Sequence, residues 1–209
     1  MQNRCRKSIN TIDLIRHGEP VGGRKYRGQT DDPLSEKGWA QMWAAVGDYA
    51  RWQHIVSSPL SRCQAFAEAL AEKRGIPVSV EARFKEVTFG VWEGQTAAQL
   101  SVDQPDLLFN FKCDPVTHRP AGAEPIVDFH ARVAAGWDAV LAAHPGKHLL
   151  VVCHAGVIRM LLAQVLGVPP QNAYRIQVGS AAISRITVEA RHGRSLATLQ
   201  FHDGMLPKG

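Results

Sequence analysis

Two short apolar runs, far apart in the chain, each lead into a histidine that is followed by small residues. Residues 11–15 lead towards His17, and His148–Cys153 lead directly into His154. The second run is almost continuously apolar, as in a central strand that is covered on both faces. Ligands in sheets of parallel strands lie beyond the carboxyl ends of those strands. The pattern therefore predicts that both histidines face one crevice, although either one alone could be an ordinary hydrogen-bonded residue at a strand end.

The rest of the chain alternates between short apolar runs and amphipathic stretches. Further strands are predicted at His54–Ser57 and Val78–Val80, with a closing hairpin at 180–188 and 196–201. Helices are predicted after Ser35, from Ser58-Pro59 to Gly75, at 125–144 and at Ala155–Leu166. Such alternation indicates an α/β fold whose mostly parallel central sheet carries helices on both faces.

Length and composition fit one domain, residues 1–209. The 209 residues are 45% hydrophobic and 21% charged, which suits a single well-filled core. Residues 95–123 contain three prolines and show weak periodicity. We expect this insertion to form small helices and loops that cap one end of the sheet.

The composition and charge of the chain bear on whether its partner is an anion, a nucleic acid or a membrane. The net charge is +5, which an anionic partner and a basic, well-solvated surface explain equally well. Lysines and arginines are scattered and no nucleic-acid-binding signature occurs, so we expect no nucleic acid partner. The longest apolar region, 148–168, is interrupted by His154 and Arg159, so we expect no membrane span. Nothing in the sequence indicates an oligomeric state.

The start of the chain and its cysteines indicate a cytoplasmic protein. The first ten residues lack the apolar stretch of a signal peptide. The four cysteines lie far apart in sequence, and Cys63 and Cys153 fall inside apolar segments. We therefore expect these two to be reduced thiols in the core.

Two arginines accompany the histidines. Arg16 directly precedes His17, and Arg62 falls in the first turn of the helix that follows His54–Ser57. A cation in that first turn opposes the helix dipole, and a local misfit of this kind suggests a functional site. If Arg62 faces the crevice, the two planar guanidinium groups can bind a phosphate together. The alternative is a surface arginine that is solvated or pairs with Glu68.

Two glutamates in one loop are candidate proton donors. Glu86 lies in sequence among Phe84, Phe89 and Trp92, and an apolar setting favours the protonated acid. Glu93 is an equal candidate from chemistry alone, and an exposed loop glutamate is the alternative for Glu86. The nine histidines show no metal-ligand spacing, so we expect no metal site.

Four segments of the chain resemble the successive motifs of the histidine phosphatase superfamily, the phosphoglycerate-mutase-like group. They are residues 14–19 (LIRHGE), 57–62 (SSPLSR), 86–94 (EVTFGVWEG) and 151–159 (VVCHAGVIR), in the family's order. The resemblance implies a phosphoglycerate-mutase-like fold. It also implies phosphoryl transfer through a phosphohistidine, with neither a metal nor another cofactor.

The resemblance assigns roles to single residues. It makes His17 the nucleophile and Glu86 the general acid, ahead of Glu93, which would hold its loop in shape. The implied phosphate pocket consists of Arg16, Arg62 and His154. We expect the pocket's cations to stabilise charge on the transferring group.

The branch of the family that the chain most resembles is that of small phosphatases. Residues 26–38 and 120–133 are similar to α-ribazole phosphatases of cobalamin assembly. Only 67 positions separate Glu86 from His154, whereas phosphoglycerate mutases carry a larger insertion with extra basic residues. We therefore expect hydrolysis of a small phosphate ester, such as α-ribazole 5′-phosphate. A mutase and a non-catalytic phosphate-binding module are the alternatives. The candidate substrate-binding residues are Arg27, Gln29 and Ala155.

The sequence departs from the family pattern near the pocket. Residues 20–24 lack the Asn that many relatives have shortly after the first motif, and Phe66 replaces a common Thr. We expect the first departure to affect the position of the phosphate and the second to affect packing. Arg24, Lys25 and Arg27 could give the mouth a positive field, and a solvated basic loop is the alternative.

Overall fold

A six-stranded sheet forms the centre of the protein in a computed structural model that describes residues 8–102 and 104–207. The strands are β1 (Ser8–Arg16), β2 (His54–Ser57), β3 (Val78–Val80), β4 (His148–Cys153), β5 (Ile183–Arg191) and β6 (Arg194–Gly204). Their order is β3-β2-β4-β1-β5-β6. Strands β1 to β4 are parallel, and β5 is antiparallel to both of its neighbours, so the mostly parallel sheet is confirmed. Cys5 and most of the segment examined for a signal peptide lie outside the described residues.

Helices follow the strands as the amphipathic pattern indicated. They are α1 (Glu36–Val46), α2 (Ser61–Arg74), α3 (Ala97–Leu100), α4 (Leu107–Cys113), α5 (Ile126–Ala143) and α6 (Ala155–Leu166). The Ser35 hydroxyl caps α1 by accepting from the Gly38 N–H. Gly75, in the left-handed region at φ 65°, ends α2.

The predicted start of α2 at Ser58-Pro59 is wrong. The helix begins at Ser61, whose N–H and hydroxyl both donate to the Asp31 carboxylate, at 2.7 and 2.8 Å. Asp31 thus supplies the capping acceptor from a preceding loop. The Ser58 hydroxyl lies 2.7 Å from Nε2 of His154 and also accepts from the Leu60 N–H at 3.3 Å, before the helix begins.

Helices cover both faces of the sheet, as predicted. Side chains alternate between the two faces along a strand, so Leu14 and Ile15 of β1 belong to different core clusters. Leu14 packs in the cluster with α5 and α6, which includes Phe129. Ile15 packs in the cluster with α1 and α2, which includes Met42 and Phe66. Phe66, the departure from the family's Thr, is fully buried there.

The described part of residues 95–123 forms small helices and loops, as predicted. Trp92, Leu108 and Phe111 form a separate small apolar cluster with Leu100. The ring of Phe111 lies 4.8 Å, centroid to centroid, from that of Tyr174, which follows α6. Aromatic contacts therefore join this cap to the body of the protein.

The buried cysteines are free thiols, as predicted. Cys63 and Cys153 are fully buried, and burial raises the pKa of each thiol.

Within the described part of the chain, no helix is both long and apolar enough to cross a bilayer.

Candidate active site

Strands β1 and β4 place His17 and His154 side by side. The two strands are parallel neighbours in which Arg16 lies opposite Cys153. The His17 N–H donates to the Cys153 carbonyl at 3.0 Å. The two imidazole rings are buried, with centroids 5.2 Å apart and planes at 64°. The two histidines therefore lie next to each other at the carboxyl ends of β1 and β4, and the crevice that they would share stays a prediction.

His17 is held with one ring nitrogen available. Its Nδ1 lies 2.7 Å from the Gly18 carbonyl oxygen, which can only accept, so Nδ1 carries the hydrogen. Nε2 therefore keeps a lone pair. Burial, and then the charges of Arg62 and Arg16, hold the pKa of His17 well below its ordinary value. The imidazole is therefore neutral at neutral pH.

Glycine at position 18 allows the loop after His17 to lie against α1. A Cβ at Gly18 would lie 2.2 Å from the Gly38 carbonyl oxygen. A Cβ at Gly38 would lie 2.1 Å from the Glu19 carbonyl oxygen. Both atoms belong to backbone, so any side chain here would move the chain that orients His17.

Arg62 points into the site and is fully buried. Its Nη1 donates to the Thr30 carbonyl and its Nη2 to the Gly28 carbonyl, both at 2.8 Å. The alternative of a surface arginine paired with Glu68 is wrong, because Glu68 accepts from Gln64 instead. The cation in the first turn of α2, which is unfavourable for the helix dipole, is thus a buried side chain rather than a surface one.

The two arginines of the site form no ion pair among the described residues. Arg16 donates from Nη1 to the Val178 carbonyl at 2.7 Å, and no ion pair to Arg16 or Arg62 occurs within residues 8–102 and 104–207. Burial, and then the charge of Arg159, lowers the pKa of Arg16 to about 10, so Arg16 remains a cation. Nε of both Arg16 and Arg62 is buried and has no hydrogen-bond partner among the described residues. Such donors are rare in native proteins, and an anionic ligand would supply the missing acceptors.

His154 is fixed by a hydroxyl that the sequence analysis missed. Ser58 Oγ lies 2.7 Å from Nε2, and Cys63 Sγ lies 3.7 to 3.8 Å from both ring nitrogens. Burial, and then the charges of Arg62 and His17, hold the pKa of His154 well below its ordinary value. The only sequence signal for Ser58 was its place in the motif that contains Arg62.

Glu86 reaches the site through the N-terminus of α6. The Gly156 N–H donates to Oε2 at 3.0 Å, and the Val87 N–H donates to Oε1 at 2.9 Å. The carboxyl group is buried, so the alternative of an exposed glutamate is wrong. A Cβ at Gly156 would lie 2.1 Å from Oε1 of Glu86, so a glycine is needed two positions after His154.

Arg132 of α5 clamps the loop that carries Glu86. Its Nε and Nη2 donate to the Glu124 carboxylate at 2.9 and 2.7 Å. Its Nη1 donates to the Arg83 and Lys85 carbonyls at 2.6 and 2.9 Å. Sequence reasoning missed this residue, because its role depends on backbone carbonyls that the sequence does not reveal.

Glu93 joins two loops rather than the pocket. Its carboxylate accepts from the backbone N–H groups of Gln29 and Thr30 at 3.1 and 2.9 Å. It also accepts from the Thr88 hydroxyl at 2.9 Å and the Phe89 N–H at 3.1 Å. These contacts fix the shape of the loop and agree with the ranking of Glu86 above Glu93.

The three candidate substrate-binding residues lie in different settings. Arg27 is buried, and its three guanidinium nitrogens donate to Asp32, Gly23 and Val21 of its own loop, at 2.5 to 2.6 Å. Arg27 therefore stabilises that loop. The Gln29 side chain is exposed, and Ala155 is the buried first residue of α6. Direct contact of any of these residues with substrate stays a prediction.

The fold and the side chains at its carboxyl edge define a phosphoglycerate-mutase-like α/β protein. Among the described residues, no three His, Cys, Asp or Glu side chains form a cluster that could hold a metal ion. A family model described as "Histidine phosphatase superfamily (branch 1)" matches residues 12–200. The chain therefore belongs to the histidine phosphatase superfamily, which has phosphatase and mutase members.

Two curated relatives match more than four fifths of this chain. The chain is 35% identical over 176 residues to a bifunctional protein of Mycobacterium tuberculosis, covering 82% of this chain and 48% of that protein. The chain thus spans about half the length of that relative. It is 31% identical over 180 residues to a Citrobacter koseri protein named "Probable phosphoglycerate mutase GpmB", covering 84% of this chain and 83% of that one.

Two solved structures share the fold over nearly the whole chain. Mycobacterial glucosyl-3-phosphoglycerate phosphatase is 28% identical with a TM-score of 0.80, covering 92% of this chain and 97% of that one. The α-ribazole phosphatase from Shigella flexneri is 25% identical with a TM-score of 0.73, covering 95% of this chain and 100% of that one. Similarity to α-ribazole phosphatases is thus confirmed.

Proposed function

We propose that the protein hydrolyses phosphate monoesters of small molecules through a phosphohistidine on His17, without a metal ion. The observation that carries the proposal is a neutral His17 imidazole beside the buried guanidinium groups of Arg16 and Arg62. A lone pair next to unpaired cations fits attack on an anionic phosphorus centre. The partner is a small phosphate ester in the cytoplasm, and neither nucleic acid nor a membrane is involved.

In the first step, Nε2 of His17 attacks phosphorus in line with the leaving alkoxide. A P–N bond forms and the P–O bond to the alcohol breaks. Arg16 and Arg62 stabilise the equatorial oxygens of the transferring group, and the His154 ring lies beside them. Protonated Glu86 gives its proton to the departing oxygen, so the alcohol leaves neutral.

In the second step, water cleaves the phosphohistidine. Glu86, now a carboxylate, takes a proton from the attacking water, whose oxygen forms a new bond to phosphorus. The P–N bond breaks, inorganic phosphate leaves, and His17 and Glu86 return to their starting states. The hydrogen bond from the Gly156 N–H to Glu86 keeps the carboxyl group beside the pocket through both steps.

Similarity to named phosphatases supports hydrolysis. The mycobacterial glucosyl-3-phosphoglycerate phosphatase has been solved with VO3 and with inorganic phosphate. We propose that the pocket of this protein takes the same two anions. α-Ribazole 5′-phosphate is one candidate ester, because the α-ribazole phosphatase shares the fold.

Two other functions remain as alternatives. A mutase is favoured by the relative named as a phosphoglycerate mutase. It would return the phosphoryl group to a second hydroxyl faster than to water. A non-catalytic phosphate-binding module would be expected to lack one of the site residues, whereas His17, Arg62, Glu86 and His154 are all present.

The proposal is tested by phosphate release from a panel of monoesters in excess chelator. The panel contains α-ribazole 5′-phosphate, 3-phosphoglycerate, sugar phosphates and p-nitrophenyl phosphate. We expect chelator-resistant release that vanishes in His17→Ala and persists when the exposed His118 is replaced by Ala. Release that needs an added metal ion, or that survives in His17→Ala, would contradict the proposal. Isomerised product without free phosphate would support the mutase.

A further inference from the structure

We propose that Arg159 forms an anion subsite on the leaving-group side of the phosphate pocket, which selects esters whose alcohol carries a carboxylate. This inference rests on the proposed hydrolase function and narrows its substrate class. The candidate α-ribazole 5′-phosphate has no acid group on its alcohol, so the subsite would give it no advantage.

Arg159 and Arg16 are held by one stretch of backbone. Arg159 Nε donates to the Ile176 carbonyl at 2.9 Å, and Arg16 Nη1 donates to the Val178 carbonyl at 2.7 Å. Both guanidinium groups are therefore hydrogen-bonded to one three-residue segment, 176–178.

Arg159 also belongs to the helix that builds the pocket. It follows Ala155 by four positions in α6, so both lie on one helix face, one turn apart. Its guanidinium lies over the ring of Tyr174, 5.4 Å from the centroid. Tyr174 contacts Phe111 of the cap, so Arg159 lies where the body meets the cap. The charge of Glu86 acts on both Arg16 and Tyr174. An alcohol that takes its proton from Glu86 would therefore leave towards this junction.

The charge of Arg159 has no anionic partner in the part of the chain that the structure describes. It forms no ion pair there, and its two terminal nitrogens make no hydrogen bond. Its nearness to Arg16 is also evident in the lowered pKa of Arg16, for which the Arg159 charge is the second cause after burial. Neighbouring like charges destabilise a fold, and a bound anion would offset that cost.

The transferring phosphoryl group does not require Arg159. Arg16 and Arg62 already present buried, unpaired Nε donors to it. Nη1 and Nη2 of Arg159 form a free planar fork, which matches the two oxygens of a carboxylate. The Tyr174 ring below the guanidinium and the Ile176 carbonyl hold that fork in place, so a carboxylate bound there gains direction as well as charge.

The test uses two pairs of esters that differ only in the acid group. They are 3-phosphoglycerate with glycerol 3-phosphate, and 6-phosphogluconate with sorbitol 6-phosphate. The wild type is compared with Arg159→Gln, with Arg159→Lys, and with Arg51→Gln, which removes an exposed arginine and matches the change in charge. In at least one pair we expect the wild type to favour the acidic ester about tenfold in kcat/KM, mainly through KM.

In that pair, Arg159→Gln should erase the preference and change kcat/KM for the neutral ester less than about threefold. Arg159→Lys should retain part of the preference, and Arg51→Gln all of it. Equal loss on both esters in Arg159→Gln would overturn the inference, as would a wild type without preference in either pair. Hydrolysis of p-nitrophenyl phosphate but of none of the four esters would overturn it too.

Loss of the proposed function itself has a different signature, namely no hydrolysis of any ester, p-nitrophenyl phosphate included. The subsite is then judged by calorimetric binding of the same four compounds to the wild type and to Arg159→Gln. Tighter binding of an acidic ester that Arg159→Gln abolishes would support the subsite. Equal binding within both pairs would overturn it.

Discussion

The Gly156 N–H donates to Oε2 of Glu86 at 3.0 Å, which ties the candidate proton donor to the helix that begins after His154. Glu86 and His154 are 68 positions apart in sequence, yet one helical turn positions both. The contact depends on the absence of a side chain at Gly156, because a Cβ there would overlap Oε1. The position of the Glu86 carboxyl group therefore depends on residues of two separate motifs, 86–94 and 151–159.

Replacement of Glu86 by Gln should affect substrates according to their leaving group. Without a proton donor, an alkoxide leaves poorly, whereas p-nitrophenolate leaves without help. We expect kcat/KM, which reports the first step alone, to fall about 100-fold or more for alkyl phosphates and much less for p-nitrophenyl phosphate. Steady-state kinetics on both substrates measure the difference, and equal losses would remove Glu86 from the role of acid.

Gly156→Ala supplies an independent check on the same group. The new Cβ should displace the Glu86 carboxyl group without removing it, so the same dependence on leaving group is expected at smaller amplitude. A variant with wild-type kinetics on alkyl phosphates would show that this contact does not position the acid.

Replacement of Ser58 by Ala should weaken turnover while the fold persists. The variant removes the hydroxyl that lies 2.7 Å from Nε2 of His154, so the ring loses its fixed orientation. We expect kcat/KM to fall about tenfold, the scale of one neutral hydrogen bond. Ser79→Ala is the matched control, because it removes a similar contact at 2.8 Å to His54, outside the pocket. Equal effects of the two variants on kcat/KM would contradict a role for Ser58.

The buried histidines should make the protein less stable in mild acid. The pKa of His17 lies well below its ordinary value because of burial and then Arg62, and the pKa of His154 is lowered in the same way. Below about pH 6.5 the unfolded chain therefore binds more protons than the folded protein. The free energy of unfolding thus falls as the pH is lowered through that value.

His17→Asn removes one of these groups and should flatten the dependence. Between pH 7 and pH 5 we expect the variant to lose less free energy of unfolding than the wild type. Urea titrations at both pH values measure the loss. His118→Asn, at an exposed site, should behave as the wild type. An identical loss in His17→Asn would show that His17 is not held neutral by the fold.

Much of the fold could be predicted because its strands and helices have strong local patterns. The ends of β4 and α6 were predicted at the residues where the structure has them, since an apolar run stops at His154 and Gly167 follows α6. The pairing of His17 with His154 followed from one general property of parallel sheets. The start of α2 was mispredicted because its capping acceptor is Asp31, which lies 30 positions before Ser61 in another loop.

The site was harder to predict where its contacts depend on tertiary structure. Glu86 and Glu93 are equivalent in chemistry. Their place in the motif ranks Glu86 first, but only the arrangement of the loops around Gly156 reveals the contacts of each carboxyl group. Arg27 could not be recognised as a loop-stabilising residue, because two of its acceptors are carbonyls whose direction the sequence does not reveal. Arg132 was missed for the same reason, since its role depends on the carbonyls of Arg83 and Lys85.

The central claim is that His17 carries the phosphoryl group, and trapping of the phosphoenzyme tests it most directly. The wild type is mixed with a hydrolysed ester, quenched in alkali within one turnover, and mapped by mass spectrometry. We predict one phosphoryl group per chain on His17, formed at least as fast as turnover and absent from His17→Ala. A phosphoryl group on another residue, or full turnover by His17→Ala with no phosphoenzyme, would contradict the account.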